Sequence, residues 1–383
     1  MPHASVIVVG GGASGLSAAA ALKQKGIDSV VLERDPQIGG TWARRYDRLH
    51  LHTVRAFSGL AHFGIPRRYP LYLSRDEFVG YLREYAEHFG LNVVSRSEAT
   101  AICPDPTKSE WQTATSDGKT WRARAVVVAT GQYRKPIEPH WPGFDTYRGA
   151  LSHSVNYSNA KPFAGKRVLV VGAGNSGAEI ATDIAENGGK FVAISIRTPP
   201  TIVPRDPFGM PVQRTGIVLS FLPSAIADRI GRLTARITLG DLTKYKIPRP
   251  AWGPYSAKRI PLIDVGFVSA VKRGLVHIRP ALERLAPLGA VYADGVEESF
   301  DAIVAAIGFE TGLQNLIQAD GVLDDVGEPI AAAGEPTSHP GLYFMGFVHS
   351  LRGHLFEANR ASRRLARNIE RYLEGEQKQQ NGV

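Results

Sequence analysis

This chain of 383 residues has a single cysteine, Cys103, so it has no pair of thiols for an internal disulfide or for passing two electrons through a dithiol. It also lacks any run of about 18 apolar residues, which leaves out a membrane-crossing helix on the usual hydropathy criterion. No charged and apolar leader precedes the first strand pattern after Met1-Pro2-His3, so the expectation is a cytoplasmic protein without integral membrane association. The 40 glycines and 25 prolines are scattered through turns and form no low-complexity tract. Lys and Arg (45) outnumber Asp and Glu (36) for a net charge of +9. The basic clusters Arg44-Arg45 and Arg363-Arg364 have no aromatic platforms between them, so nucleic acid is not an expected partner. Dispersed positive charge suits small ligands bearing phosphate or carboxylate.

What is present begins with Val6-Ile-Val-Val-Gly-Gly-Gly-Ala-Ser-Gly15, an apolar run that breaks into glycines and enters the helical Leu16 to Leu22. Gly10, Gly12 and Gly15 fall on the G-x-G-x-x-G spacing, with Ser14 beside them. In that spacing the first glycine permits the turn, the second lets a pyrophosphate approach, and the third lets helix and strand pack closely. The next apolar run, Ser29 to Leu32, ends at Glu33, where such folds place an acid on the ribose hydroxyls. The same pattern recurs at Val168 to Val171 followed by Gly172, Gly174, Asn175, Ser176 and Gly177. Two dinucleotides are therefore expected. After the second unit's next strand, Phe191 to Ile196, Arg197 takes the acid's place, which suits the 2′-phosphate of NADPH. The fold class that follows is α/β, with two Rossmann-like domains.

After Glu33 and Arg34 comes a glycine-rich loop, Gly39-Gly40-Thr41-Trp42, then Tyr46-Asp-Arg-Leu-His-Leu-His52-Thr53. Farther on stand Ala129-Thr130-Gly131 and the segment Tyr147 to Tyr157, which fits F-x-G-x-x-x-H-x-x-x-W/Y with tyrosine in the first place. These segments resemble the class B flavin-dependent monooxygenases, and Gly40-Thr41-Trp42 with Tyr-Asp-Arg-Leu-x-Leu-His is most similar to the YUCCA branch. The resemblance runs nearly end to end and implies FAD in the first site and NADPH in the second. It implies a small-molecule substrate and O2 as reactants, and a C4a-hydroperoxyflavin as oxidant. In the YUCCA branch the substrate is an aromatic 2-oxo acid, indole-3-pyruvate, which loses carbon dioxide. Oxygenation of amines or sulfides and release of peroxide by an NADPH oxidase are the alternatives. The resemblance makes His52 the candidate catalytic residue and His153 a structural or conformational one. Arg55 and Arg205 are candidates for holding a substrate carboxylate. Ala306-Ile307-Gly308-Phe309 stands for the family's second Ala-Thr-Gly-Tyr crossing, and Gly341 to Phe347, including Gly346 and Phe347, for the last flavin-domain strand. The helix from Leu355 and Phe356 would turn its positive end to the flavin.

The order of these motifs predicts an NADPH domain inserted into the FAD domain. The expected boundaries are 1–160 and 290–374 for FAD, 161–289 for NADPH with an irregular segment at 199–265, and a disordered tail at 375–383. Ser74 to Phe89 reads as a capped helix with Phe78, Tyr81, Leu82, Tyr85 and Phe89 on its core face. In the irregular segment, Leu222, Ile226, Ile230, Leu233 and Ile237 share a helical face from which Arg229, Arg232 and Arg236 point away. The expectation is that this face packs on the protein itself, with a lid or a membrane-surface element as alternatives.

Overall fold

The computed structural model describes residues 2–105, 107–257 and 259–380, with side chains through 375. The chain opens as the glycine spacing predicts. His3–Val9 (β1) leads into Ala13–Lys23 (α1) and returns as Ser29–Leu32 (β2), parallel to β1. From Ala13 to Leu22 every residue of α1 is buried, as expected of a helix that is apolar all round. Arg75–His88 (α2) starts at a capping box, in which Ser74 Oγ accepts from Glu77 N and the Glu77 carboxylate accepts from Ser74 N. Phe78, Tyr81, Leu82 and Tyr85 are fully buried along it. Asn92–Val94 (β3), Ala99–Asp105 (β4), Glu110–Thr115 (β5) and Thr120–Val128 (β6) complete a sheet in the order β3-β2-β1-β6-β5-β4. Its pairing is parallel from β3 to β6 and antiparallel from β6 to β4.

Lys135–Pro136 (β7) leads to a second sheet. It takes Ala150–His153 (β8), Arg167–Val171 (β9) and, after the helix Asn175–Glu186 (α3), Phe191–Ser195 (β10). Next come Ile202–Pro204 (β11), Val212–Leu219 (α4), Ser224–Leu239 (α5) and Leu262–Asp264 (β12), with β11 paired to β12. Val276–Arg279 (β13) rejoins the second sheet. Leu282–Ala286 (β14), Gly289–Tyr292 (β15) and Glu297–Ser299 (β16) form an antiparallel meander, and Ala302–Ala305 (β17) returns to the second sheet. The order is β13-β10-β9-β17-β8, all parallel. Phe309–Glu310 (β18) pairs with β7, so the outgoing and returning crossings lie side by side. Leu342–Phe344 (β19) then pairs with β6 in the first sheet, and His354–Gln380 (α6) packs along α1.

Three expectations need correction. The expected domain boundaries at 160/161 and 289/290 cut through the second sheet, because β8 and β17 both belong to it and pair with each other. Strands β15 to β17 therefore do not return the chain to the first domain; the crossing at β18 does. In the expected tail, residues 375–380 continue α6 instead of breaking off, since Glu, Gln and Lys are good helix formers; residues 381–383 lie outside the described residues. Finally, the apolar face of α5 does not pack on the protein: Ile226, Leu233 and Ile237 are 50%, 58% and 63% exposed. The opposite face, with Ala227 and Asp228, is the buried one.

Candidate functional site

The two glycine turns are built alike. Gly10 and Gly172 take φ of +111° and +108°, and a Cβ on either would stand 2.5 Å from Ala129 O or 2.4 Å from Ala306 O. A Cβ on Gly15 would fall 1.8 Å from Gly10 O, and one on Gly177 1.9 Å from Gly172 O. The middle glycines are different: around Gly12 and Gly174 nothing stands within 4 Å of a Cβ. Each middle glycine also begins a helix that has no side-chain cap. Open space in front of unsatisfied helix N–H groups is what a pyrophosphate requires. Residues 129–131 pass beneath the first turn. There Thr130 Oγ1 is buried with no partner among the described residues, and the space at Gly131, φ +82°, is open.

Around the first turn the expected residues converge from distant parts of the chain. The Glu33 carboxylate accepts from Gly11 N at 2.6 Å and from Asp35 N at 2.8 Å, and burial pushes its pKa up. Half-buried Arg34 follows it. The Asp35 carboxylate closes on Gly40, where a Cβ would meet it at 2.4 Å, and pairs with Arg44. Trp42 stands edge-on to Phe78 at 4.6 Å, while Thr41 is exposed. Ser14 Oγ is 3.2 Å from His354 Nε2 at the start of α6. A Cβ on Gly346 would meet Ser14 Oγ at 2.5 Å, and one on Gly353 would meet Thr53 Cγ2 at 2.7 Å. Ser14, Thr53 and Gly346 thus surround the N-terminus of α6. The side chains expected beside them turn elsewhere. Phe347 lies against Phe344, Leu355 is buried in the core with Leu16 and Leu51, and Phe356 stands edge-on to Phe57 in the wall of a separate cavity of about 340 Å³. Among residues 353–356 the side chain turned to the site is His354, against Ser14.

At the second turn, Arg197 follows β10 and lines a cleft of about 650 Å³ with Lys246, Arg279, Tyr292 and Glu298. Arg279 is paired with Glu298 at 2.8 Å. Arg197 and Lys246 have no ion pair among the described residues, which leaves two cations free for a phosphate. Lys246 was not legible in the sequence, because it comes from the irregular segment and carries no motif. Asn175 proves to be a brace: its Oδ1 accepts from Ile263 N at 2.8 Å and its Nδ2 donates to Pro261 O at 3.1 Å, tying β12 to the start of α3. Ser176 lies beside the Tyr46 phenol of the first domain.

Between the two turns, residues 45–52 lie against α3. His52 Nε2 is 2.7 Å from Glu179 Oε1, and the Glu179 side chain is 4% exposed. Burial, with the Glu179 carboxylate next in effect, holds the Tyr46 phenol well above its usual range. Tyr157 donates to Asp183 Oδ2 at 2.6 Å, and Arg48 reaches Asp183 at 3.5 Å. His52 is therefore a tie between the two domains. His153 is held at both ring nitrogens. Its Nδ1 accepts from Val155 N, so its Nε2 carries the proton and donates to Gly308 O at 3.1 Å, and burial lowers its pKa. Tyr147 likewise donates to Phe300 O at 2.9 Å.

The two arginines expected near a carboxylate are already engaged. Arg55 donates to the carbonyls of Arg67 and Tyr69, and Arg205 lies over Tyr72 at 4.2 Å while donating to Asp206. Arg45 is the cation the motifs did not single out. Its guanidinium stands 4.8 Å above the Phe309 ring at the returning crossing, and burial lowers its pKa. It has no carboxylate partner among the described residues.

Residues 7–206 match the family described as pyridine nucleotide-disulphide oxidoreductase. With Cys103 alone, the chain shares that family's nucleotide scaffold without a dithiol. Relatives include the indole-3-pyruvate monooxygenase YUCCA1 of Oryza sativa subsp. japonica, 34% identical over 89% of this chain and 86% of the relative. YUCCA6 of Arabidopsis thaliana is 32% identical over 95% of this chain and 89% of its own. Among solved structures, a mutant form of a flavin monooxygenase from Stenotrophomonas maltophilia matches at a TM-score of 0.76 and 26% identity, over 97% of this chain and 100% of that one. The chain belongs to the flavin-dependent monooxygenases, as a YUCCA-like member of that family.

Proposed function

We propose that this protein is an FAD- and NADPH-dependent monooxygenase that acts through a C4a-hydroperoxyflavin, with an aromatic 2-oxo acid such as indole-3-pyruvate as substrate. The pair of like-built glycine cradles carries this reading, since each leaves open the space and the helix N–H groups that one pyrophosphate would use. FAD in the first cradle supplies the oxygen chemistry. Glu33, already held by two backbone N–H groups, would take its ribose, and the start of α6 would face the ring's developing negative charge. NADPH in the second cradle would set its 2′-phosphate between Arg197 and Lys246.

The half-buried Arg45 guanidinium favours the 2-oxo acid over an amine or sulfide. It lacks an anion, and a carboxylate would complete it with charge-assisted hydrogen bonds. One 2-oxo acid, one NADPH, one proton and one O2 would give the shortened acid, carbon dioxide, NADP+ and water. His52 would act by positioning, holding the cleft closed through Glu179 so that water is kept from the oxidant.

The test is turnover of the purified flavoprotein with NADPH, O2 and indole-3-pyruvate or phenylpyruvate, with oxygen uptake and product followed together. The expected result is the corresponding acetic acid and carbon dioxide in proportion to oxygen consumed. Oxidation of amines or sulfides with no activity on 2-oxo acids overturns the substrate class. Peroxide as the sole product on every substrate overturns the monooxygenase reading in favour of an oxidase.

A further inference from the structure

From Val212 to Leu239 the chain forms a short helix, a turn and a longer helix whose outer side is apolar. Phe221 at the turn is 82% exposed, and Ile226, Ile230, Leu233 and Ile237 follow along α5 at 50%, 38%, 58% and 63%. Their spacing puts all four on one side of the helix. Sixteen residues make that side about 24 Å long. The inward side is fully occupied: Asp228 accepts from Tyr255 N at 2.7 Å, and Gly231 lies so close to Pro254 that a Cβ there would stand 3.1 Å away. The apolar side therefore cannot be turned inward without breaking this packing. A continuous apolar strip of this length on a water-facing surface marks a place where something else docks.

The charges beside it say what docks. Arg229, Arg232 and Arg236 are exposed and lie along one flank of the strip, and Arg214 is exposed on α4. None of the four has an ion pair among the described residues. The single acid between Val212 and Leu239 is Asp228, which is 3% exposed and hydrogen-bonded inward. A second copy of this chain would bring no acidic group on this face to meet the arginines, and an antiparallel two-fold pairing of α5 would set arginine flank against arginine flank. An anionic bilayer supplies both needs, an apolar interior for the isoleucines and phosphate oxygens for the guanidinium groups, whose long stems reach upward from the strip.

We propose that the outer face of residues 218–239 is a peripheral docking surface for membranes rich in anionic phospholipid, with α5 lying in the plane of the headgroups. Attachment is interfacial, since among the described residues no helix is long and apolar enough to cross a membrane. The surface is coupled to the first nucleotide site through α4. Gln213 accepts from Val54 N at 2.8 Å and donates to Arg352 O at 2.6 Å, one residue before Gly353 and the start of α6.

The full-length flavoprotein is floated with vesicles of phosphatidylcholine alone and with vesicles containing an equal part of phosphatidylglycerol. The expected result is partitioning onto the anionic vesicles stronger by about tenfold or more, falling as salt is raised. The double variant Ile230→Asp, Leu233→Asp changes exposed positions only, so it should keep its flavin and its reduction by NADPH while losing both kinds of vesicle. The triple variant Arg229→Gln, Arg232→Gln, Arg236→Gln should lose the preference for phosphatidylglycerol. The proposal is overturned if neither vesicle binds or if binding is indifferent to these substitutions. It is also overturned by a lipid-free dimer that Leu233→Asp dissociates, which would give the face to a second copy of the chain.

Discussion

Three glycines on one turn have three separate tasks, and single substitutions should tell them apart. Gly12 sits in extended backbone, φ −81° and ψ −175°, with open space before it, so a side chain there costs the fold little. Gly12→Val should give a folded protein, with the Tm of the flavin-free parent, that is isolated without flavin. Gly174→Val, in matching surroundings, should retain flavin and lose reduction by NADPH. Gly15→Ala should yield no folded protein, because its Cβ would fall on the Gly10 carbonyl. If Gly12→Val kept its flavin, the open space would not be the pyrophosphate's. On the same scale, Arg197→Ala and Lys246→Ala should each raise KM for NADPH by roughly tenfold or more and leave NADH nearly untouched, since a charge-assisted contact contributes about 1.5 to 3 kcal/mol. Steady-state kinetics with both coenzymes decides it; equal losses with NADH would remove the phosphate assignment.

Elements defined by neighbours in sequence were legible; those defined by neighbours in space were not. The capping box and core stripe of α2 can be read from the consecutive residues Ser74 to Phe89, and in the structure the box is formed and Phe78, Tyr81, Leu82, Tyr85 and Phe89 are all buried. The cradles could be read for the same reason. Strands β8 and β17 could not, because parallel neighbours may be joined by any length of chain and leave no periodic trace of their partner. The α5 stripe shows the limit of periodicity: it marks a face and is silent on whether protein or something else covers it. Arg45 and Lys246 escaped because their surroundings are assembled from segments with no shared motif. The crossing at β18 carries a prediction of its own. His153 has a pKa below the ordinary 6.5, so its share of stability is complete above that pH and is lost as pH falls through the window beneath it. His153→Gln should therefore lower Tm near neutrality, and its Tm should decline less than the parent's as the medium is made mildly acidic. Parallel declines would mean that His153 keeps its ordinary pKa in the fold.

For the molecule as a whole, the first domain touches α3 through His52 and Glu179, and these two should behave as one device. His52→Ala and Glu179→Gln should each raise the fraction of oxygen released as peroxide, and the double variant should do little more than either, because both remove the same contact. Additive effects would separate them.

The interleaving of the two sheets also has a consequence for how the protein is made. Every strand of the second sheet lies between Ala150 and Ala305, so that sheet can close while the chain is still being synthesised. The first sheet is begun earlier but waits for β19, and α1 waits for α6 to cover it. The inner domain thus matures before the outer one that encloses it in sequence, and the start of α6, proposed above to face the flavin, leaves the ribosome only after the inner domain is complete. Chains stalled once Glu310 has emerged from the ribosome, and before α6 has, should already protect the inner domain from protease and hold no flavin.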